Sequence, residues 1–350
     1  MTSRKLPISA LLCALTLSAA ATPALACIHA ASLDAKARPV KTSAYQALII
    51  PGQGVQHTFI TAGIDASSPP VERLAWIIPV PATPKSVSTG DPGLFAELDR
   101  YVGLKHEAPR TRSRAPKGAK SAGMSTSAAV LMRLPESQAG PYRIQPLKAT
   151  GEAGVKAMSL WLNKNRFAPL DTGILKHYAA QGWTFLAVSV SPAPGKKTIT
   201  PGNLPPLHIV TARPADQLVY PTRILTAAGE AAVRITLLTP EPLSYSESKR
   251  VALTYGLSVA AGHYGSSVRS RCAKSVYTHN VSAIPNTAHL PAALKKSATP
   301  ALVQWPNKTT ASLTVLYEPN MRCIKASAKH GDLRVKLLNA NNQPMRFGGS

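Results

Sequence analysis

The sequence predicts an α+β protein: mostly antiparallel sheets, two or three helical insertions and a β-leaning C-terminal region. Three observations predict it. Short runs dense in β-branched and aromatic residues recur along the chain, the clearest being WTFLAVSV at 183–190. Only a few stretches carry apolar residues at helical spacing. Strand-like and helix-like segments come in runs and do not alternate as the βαβ units of a parallel sheet would. With 45% of its residues apolar, the chain has the material for a real core.

After a polar lead-in, residues 45–51 (YQALIIP) and 56–61 (QHTFIT) read as two strands joined by the turn Gly52-Gln53-Gly54, a hairpin signature. Residues 73–81 (RLAWIIPVP) follow as a buried strand. Pro79 and Pro81 have no N–H to donate and place its end at a sheet edge or in extended structure. Asp91-Pro92 supplies a cap and a first-turn proline for a helix that sets Leu94, Phe95, Leu98, Tyr101 and Val102 on one face and stops at Gly103. Residues 140–150 read as a strand, and 152–163 as an amphipathic helix burying Val155, Met158, Leu160, Trp161 and Leu162. A second short helix opens at Asp171 and runs through Ile174, Leu175 and Tyr178 to Gly182. Further strands are expected at 183–190, 207–212, 218–226, 232–239 and 251–259, with sparser candidates at 312–317 and 333–338 and a polar, frayed tail.

The first 26 residues have the three parts of a secretory signal: Arg4 and Lys5, an uncharged apolar stretch from 8 to 21, and the small-residue site Ala24-Leu25-Ala26. The apolar stretch is too short for a stable bilayer span, so no transmembrane segment is expected once the leader is gone. The organisation expected is a signal peptide at 1–26, an α+β domain at 27–240 and a partly β C-terminal region at 241–350. Cleavage before Cys27 suits ordinary signal peptidase, and a Cys at the new N-terminus is also what lipoprotein processing requires. Ala24 and Leu25 depart from the usual lipoprotein pattern, which puts Leu three residues before the Cys and a small residue two before. With Cys13 lost, Cys27, Cys272 and Cys323 remain. The economical assignment in an oxidising compartment is a Cys272–Cys323 disulfide, with Cys27 lipidated, free or paired between molecules.

The chain carries 40 Lys and Arg against 16 Asp and Glu, a formal charge of +24 that loses only Arg4 and Lys5 with the leader. Such a field favours anionic surfaces: phosphate-bearing lipids, polyanionic glycans or nucleic acid. The plainer alternative is basicity spread for solubility. Between 105 and 127 the chain turns polar and basic, with Arg110, Arg112, Arg114, Lys117 and Lys120 among Pro, Gly, Ser and Ala. It reads as a solvated loop, or as a polyanion contact; no aromatic residue offers a base a stacking surface, so specific nucleic-acid recognition is not expected.

Familiar catalytic patterns fail on spacing. His106-Glu107 has no second His one helical turn on, as a zinc protease requires. Gly52 and Gly54 lie between strands and lack the following helix of a phosphate loop. No Gly-x-Ser-x-Gly elbow is present. Cys272 with His263 or His279 could form a thiolate–imidazole pair, its thiol acidified by Arg269 and Arg271, but Cys323 competes for it as a disulfide partner. Glu72, Asp91, Glu97 and Asp99 could supply paired carboxylates across the fold, yet Asp91 is explained as a cap and Glu97 and Asp99 fall on an expected exposed helix face. Trp76, Trp161, Trp183 and Tyr220 could line an apolar pocket, but each lies where a large core residue is expected. Trp305, flanked by Pro306 in a poorly patterned stretch, is a candidate for exposure. No catalytic residue, metal or cofactor is called for.

Several segments, in order, resemble the bacterial family known as domain of unknown function 2330. They are the early hairpin, LAWIIPVP at 74–81, GDPGLFAELDRYV at 90–102, GPY at 140–142, LWLNKNRF at 160–167, HYAAQGWTFLAVSV at 177–190 and LVYPTRI at 218–224. The resemblance covers residues 27–240 and implies an exported bacterial envelope protein of unassigned activity. Members commonly carry a second Cys soon after the first, whereas this chain has only Cys27 there. The family offers no catalytic residue to carry over. The function expected is a non-enzymatic binding or scaffold module whose basic surface meets an anionic envelope component or a protein partner. The alternative is an envelope-directed hydrolase or transferase whose site is assembled only in the fold.

Overall fold

The structure, a computed structural model, describes residues 31–32, 40, 42–102, 130–167, 169–214, 216–226, 232–244, 246–247, 250–251, 279–284, 290–305, 311–318 and 332–347. The expected leader, the basic stretch at 105–127 with Arg110, Arg112, Arg114, Lys117 and Lys120, and Cys27, Cys272 and Cys323 lie outside the described residues.

The fold is α+β with mostly antiparallel sheets, in two facing layers. One sheet holds β1 (Ala31–Ser32), β4 (Leu74–Val80), β9 (Thr184–Val190), β8 (Tyr142–Thr150) and β6 (Val130–Arg133), with β7 (Ser137–Ala139) also on β8. The larger sheet has the order β14 (His279–Ile284), β15 (Ala311–Glu318), β13 (Ala232–Thr239), β2 (Thr42–Gly52), β3 (Val55–Ile64), β11 (Leu207–Ala212), β5 (Pro84–Thr89), and β10 (Gly202–Asn203) joins β3. Every pairing in it is antiparallel except β13 with β2. A two-stranded ribbon pairs β12 (Gln217–Tyr220) with β16 (Leu333–Lys336).

Alternation along the strands sorts the core. Tyr45, Ala47, Ile49, Ile60 and Ala62 point from the larger sheet toward Trp76, Tyr142, Ile144 and Val188 of the smaller one. The phenol of Tyr142 donates to the carbonyl of Pro205 across this interface. Helices α2 (Gly151–Lys164) and α3 (Thr172–Ala180) pack on the other face of the smaller sheet, where Tyr178 meets Phe185 edge to face. A second cluster lies on the outer face of the larger sheet: Leu48, Ile50 and Phe59 against Leu94, Phe95 and Leu98 of α1 (Leu94–Val102) and Leu294, Ala298 and Leu302 of α4 (Ala292–Leu302). β4 and β9 are therefore buried on both faces, which is why they read as continuous apolar runs.

The hairpin, the buried β4, the two central helices and strands 207–212 and 232–239 stand where the sequence puts them. The hairpin turns on Gln53-Gly54, with Gly54 at φ +64, a conformation open to glycine at little cost. Asp171 caps α3, accepting from the N–H of Ile174 at 3.1 Å. Leu160 departs from expectation: it is 63% exposed, because the face α2 turns fully inward is that of Gly154, Val155, Met158 and Leu162. Tyr101 is exposed too. The strand expected over 218–226 ends at Tyr220, where Pro221 interrupts it and a 3₁₀ turn (Arg223–Thr226) follows. Val251, expected to open a strand, is helical, and residues 252–259 lie outside the described residues.

Candidate functional site

An opening among the described residues lies between the layers, with a volume of about 480 Å³ counted out to its solvent mouth. Ile60 and Ile209 form part of its floor with Gln56, Thr58 and Thr211, all from the inner face of β3 and β11. One wall is the consecutive run Ile77, Ile78, Pro79, Val80 and Pro81, and the other is Val219, Tyr220, Pro221 and Ile224.

Neighbouring residues of a strand point to opposite faces, so a wall of five in a row means that the cavity runs along the edge of β4. On one side β9 pairs with β4 over its whole length; on the other, among the described residues, β1 pairs with Leu74 and Ala75. The opposite wall is a strand edge as well. Gln56 serves β12 as a neighbouring strand would, its amide NH₂ donating to the carbonyl of Val219 at 2.9 Å and its carbonyl accepting from the N–H of Val219 at 2.8 Å. The same NH₂ also donates to the Thr58 hydroxyl at 2.8 Å. Thr211 is 2% exposed, and its Oγ1 has no hydrogen-bond partner. The cavity is thus apolar walled, with one unmet polar atom and two strand edges.

Beside it lies a polar network. Asp332, 3% exposed, accepts from the Tyr178 hydroxyl at 2.7 Å and from the N–H of Arg223 at 3.2 Å. Its other oxygen is 3.1 Å from Nε2 of His177. Nδ1 of His177 lies 3.1 Å from the Arg223 guanidinium, and its Nε2 also lies 2.8 Å from the side-chain amide nitrogen of Gln181. Tyr178 in turn accepts from the N–H of Ile224, a wall residue of the cavity. The network joins α3, the 3₁₀ turn and the start of β16, and each of its bonds is explained by that structural task.

A third constellation sits on the outer face of the larger sheet. His57 Nδ1 and His208 Nε2 are 3.1 Å apart, and His208 Nδ1 is 3.3 Å from the hydroxyl of exposed Ser88. Burial, with His57 adding to it, holds His208 down to about 4; burial lowers His57 as well. A base that weak takes little of a serine's proton at neutral pH, so the Ser-His-His order does not amount to an activated nucleophile.

Of the carboxylates singled out by sequence, Glu72 is exposed and Asp91 holds a turn, accepting from the N–H of Gly93 at 2.9 Å. The expectation for the other two is corrected. Asp99 is buried, ion-paired with Arg234 and bonded to Gln46, because α1 presses that face against the larger sheet. Glu97 accepts from the N–H of Ala293 at 2.8 Å and so serves the first turn of α4. The four do not gather into a cleft. Trp76 and Trp183 are core residues, Trp161 is half-buried against Phe167, and Tyr220 alone of the four aromatics lines the cavity. Trp305 is not exposed: it is 1% accessible, and its indole N–H donates to the carbonyl of Pro51 at 2.8 Å. His279 is in β14, while His263, Cys272 and Cys323 lie outside the described residues. Among the described residues no group of three or more His, Cys, Asp or Glu could hold a metal ion, and no helix is long and apolar enough to cross a membrane.

Comparison with solved structures gives low similarity. Baculovirus P35 aligns at 10% identity and a TM-score of 0.35 over 85% of this chain and 96% of that one. P35 in the caspase-8/P35 complex gives 7% and 0.34 over 84% and 96%, and a mutated baculovirus P35 after caspase cleavage gives 8% and 0.31 over 68% and 77%. All three fall below the similarity at which a common fold is established. No curated protein sequence matches. Residues 35–300 do match a family, described as uncharacterized protein conserved in bacteria, which extends the resemblance past the segments that first suggested it. The chain belongs to this bacterial family, domain of unknown function 2330.

Proposed function

We propose that the protein is an exported binding or scaffold module of the bacterial envelope, whose cationic surface holds it against an anionic envelope component. The observation that carries this is where the negative charge goes. The chain has only 16 acidic residues against 40 basic ones. Of the buried acids, Asp99 is matched by buried Arg234 and Glu247 by Arg250, so these acids are already used up by their own partners. Several exposed carboxylates are engaged by bases: Glu136 by Arg143, Glu152 by Lys176. Each such pair cancels one acid with one base, so the surplus of lysines and arginines sets the sign of the potential, and a positive potential concentrates anionic headgroups and glycans. The leader-like segment at 1–26 supports export.

The test is co-sedimentation of the mature protein with vesicles of zwitterionic lipid alone and with about a third anionic phospholipid added. Binding to the anionic vesicles only, weakening steeply as salt shortens the Debye length from roughly 10 Å at 0.1 M toward 3 Å at 1 M, is the expected result. No binding to them at low ionic strength would overturn the reading.

A further inference from the structure

The cavity between the layers holds a polar atom that its neighbours in the sheet cannot satisfy. Thr211 projects with Leu207 and Ile209 onto the inner face of β11 and lines the cavity, 2% exposed, with no hydrogen-bond partner for its hydroxyl. The ladder explains why. On one side Thr211 stands opposite Gln56 of β3, whose amide hydrogens go to the carbonyl of Val219 and the hydroxyl of Thr58. On the other it stands opposite Pro84 of β5, which has neither an N–H nor a polar side chain to offer. Folded proteins rarely keep a buried polar group unmet without a use for it. We propose that the cavity is a binding site for a small, uncharged aliphatic molecule carrying one hydroxyl group, with that hydroxyl on Thr211 and the chain lying between the sheets against Ile60, Ile77, Ile209 and Ile224.

Three properties of the site select this chemistry. First, none of the described residues that line it is charged. An ion brought there would give up its hydration with nothing to replace it. Second, isoleucine, valine and proline make up most of the walls, which suits a flexible hydrocarbon chain. Third, the polar end favours a group that can both give and take a hydrogen bond. The Thr211 hydroxyl can act in either sense, and Thr58, its diagonal neighbour across the ladder, accepts from Gln56 and keeps its own proton to give. A ligand hydroxyl, itself donor and acceptor, suits both. A lone water suits the place less well, because a buried water makes about three hydrogen bonds and aliphatic groups surround this atom. The volume of about 480 Å³ lies within the range of roughly 300–1,000 Å³ in which proteins hold small ligands. The site is neutral and internal, so it goes beyond the cationic surface and does not depend on it.

Titration of the mature protein with n-hexanol, followed by the NMR signals of isotopically labelled isoleucine methyl groups, tests the proposal. Saturable shifts are expected at Ile60, Ile77 and Ile209 and none at Ile50, which belongs to the cluster on the outer face of the larger sheet. No saturation up to the solubility limit of the alcohol, or equal shifts at Ile50, would overturn the site. Hexanoate at neutral pH is expected to bind at least about tenfold more weakly than the alcohol, and equal binding would overturn the neutral chemistry. Thr211→Val removes the hydroxyl and keeps the shape, a change that leaves stability unchanged or improved where the hydroxyl was unmet, so the variant is expected to fold. Its affinity for n-hexanol is expected to fall about five- to tenfold; an unchanged affinity would overturn the assignment of Thr211 as the anchor. None of these readouts involves vesicles, so the envelope reading stands or falls separately.

Discussion

Asp99 and Arg234, 135 positions apart in sequence, form an ion pair buried between α1 and the outer face of the larger sheet, with Gln46 donating to the same carboxylate from the adjacent strand. Arg234 stands directly beside Gln46 in the parallel β2–β13 ladder, so one acid receives both neighbours. Breaking such a pair from one side strands a charge where water cannot reach it. Asp99→Ala is expected to destabilise by about 3–5 kcal/mol. The double variant Asp99→Leu with Arg234→Met is expected to recover most of that loss. Urea midpoints of the three proteins check both statements.

The two stacked histidines make stability depend on acidity in a defined window. Both are held below the usual histidine range by burial, His208 to about 4. Between the unfolded value near 6.5 and that figure, the unfolded chain binds more protons than the folded one, so stability is full above pH 6.5 and is lost as pH falls toward 4. The loss from His208 is expected to be about 1–3 kcal/mol once partial solvent access is allowed for. His208→Phe should flatten this part of the curve, measured as denaturant midpoint against pH; an unchanged slope would refute the assignment.

Trp305 ties the end of α4 to the hairpin through the carbonyl of Pro51. Trp305→Phe is expected to cost about 1–2 kcal/mol by orphaning that carbonyl, and Trp305→Ala about 3–5 kcal/mol through the cavity it leaves. Thermal denaturation of the two variants separates the hydrogen bond from the packing.

Gly154, inside α2, sets helix propensity against space. A Cβ there would stand 2.8 Å from the backbone carbonyl oxygen of Val130 in β6. Gly154→Ala should therefore destabilise by about 1–2 kcal/mol, although alanine gains about 1 kcal/mol in an unobstructed helix. A rise in Tm would show that α2 can lift off the sheet edge at no cost.

How much of this was legible in the sequence follows from the range of each signal. The β3, β4, β9 and β11 patterns are local and strong, and they stand where the residues put them. α4 was not foreseen because Pro300 lies inside it and Pro291 stands at its start. Trp305 looked exposed because it follows no periodic element, yet its burial is set by Pro51, more than two hundred residues earlier. The face of α1 holding Asp99 reads as solvated because two charges sit on it; Arg234 and Gln46 explain Asp99, and the first turn of α4 explains Glu97. The cavity left a partial trace: Pro79 and Pro81, expected at a sheet edge or in extended structure, stand in its wall, but what they face is decided by β12, and nothing in LVYPTRI says that Gln56 will bind its backbone.

The parallel contact of β2 with β13 also governs the order of assembly. β2 is made early, but its central neighbour on one side is not synthesised until residue 232, and the next strand outward, β15, not until 311. The N-terminal hairpin must wait, with a long row of apolar positions uncovered, for partners that arrive late. Topologies that depend on such distant pairings fold slowly and expose aggregation-prone edges meanwhile. The larger sheet can thus close around the N-terminal hairpin only after residues 232–239 and 311–318 have been made.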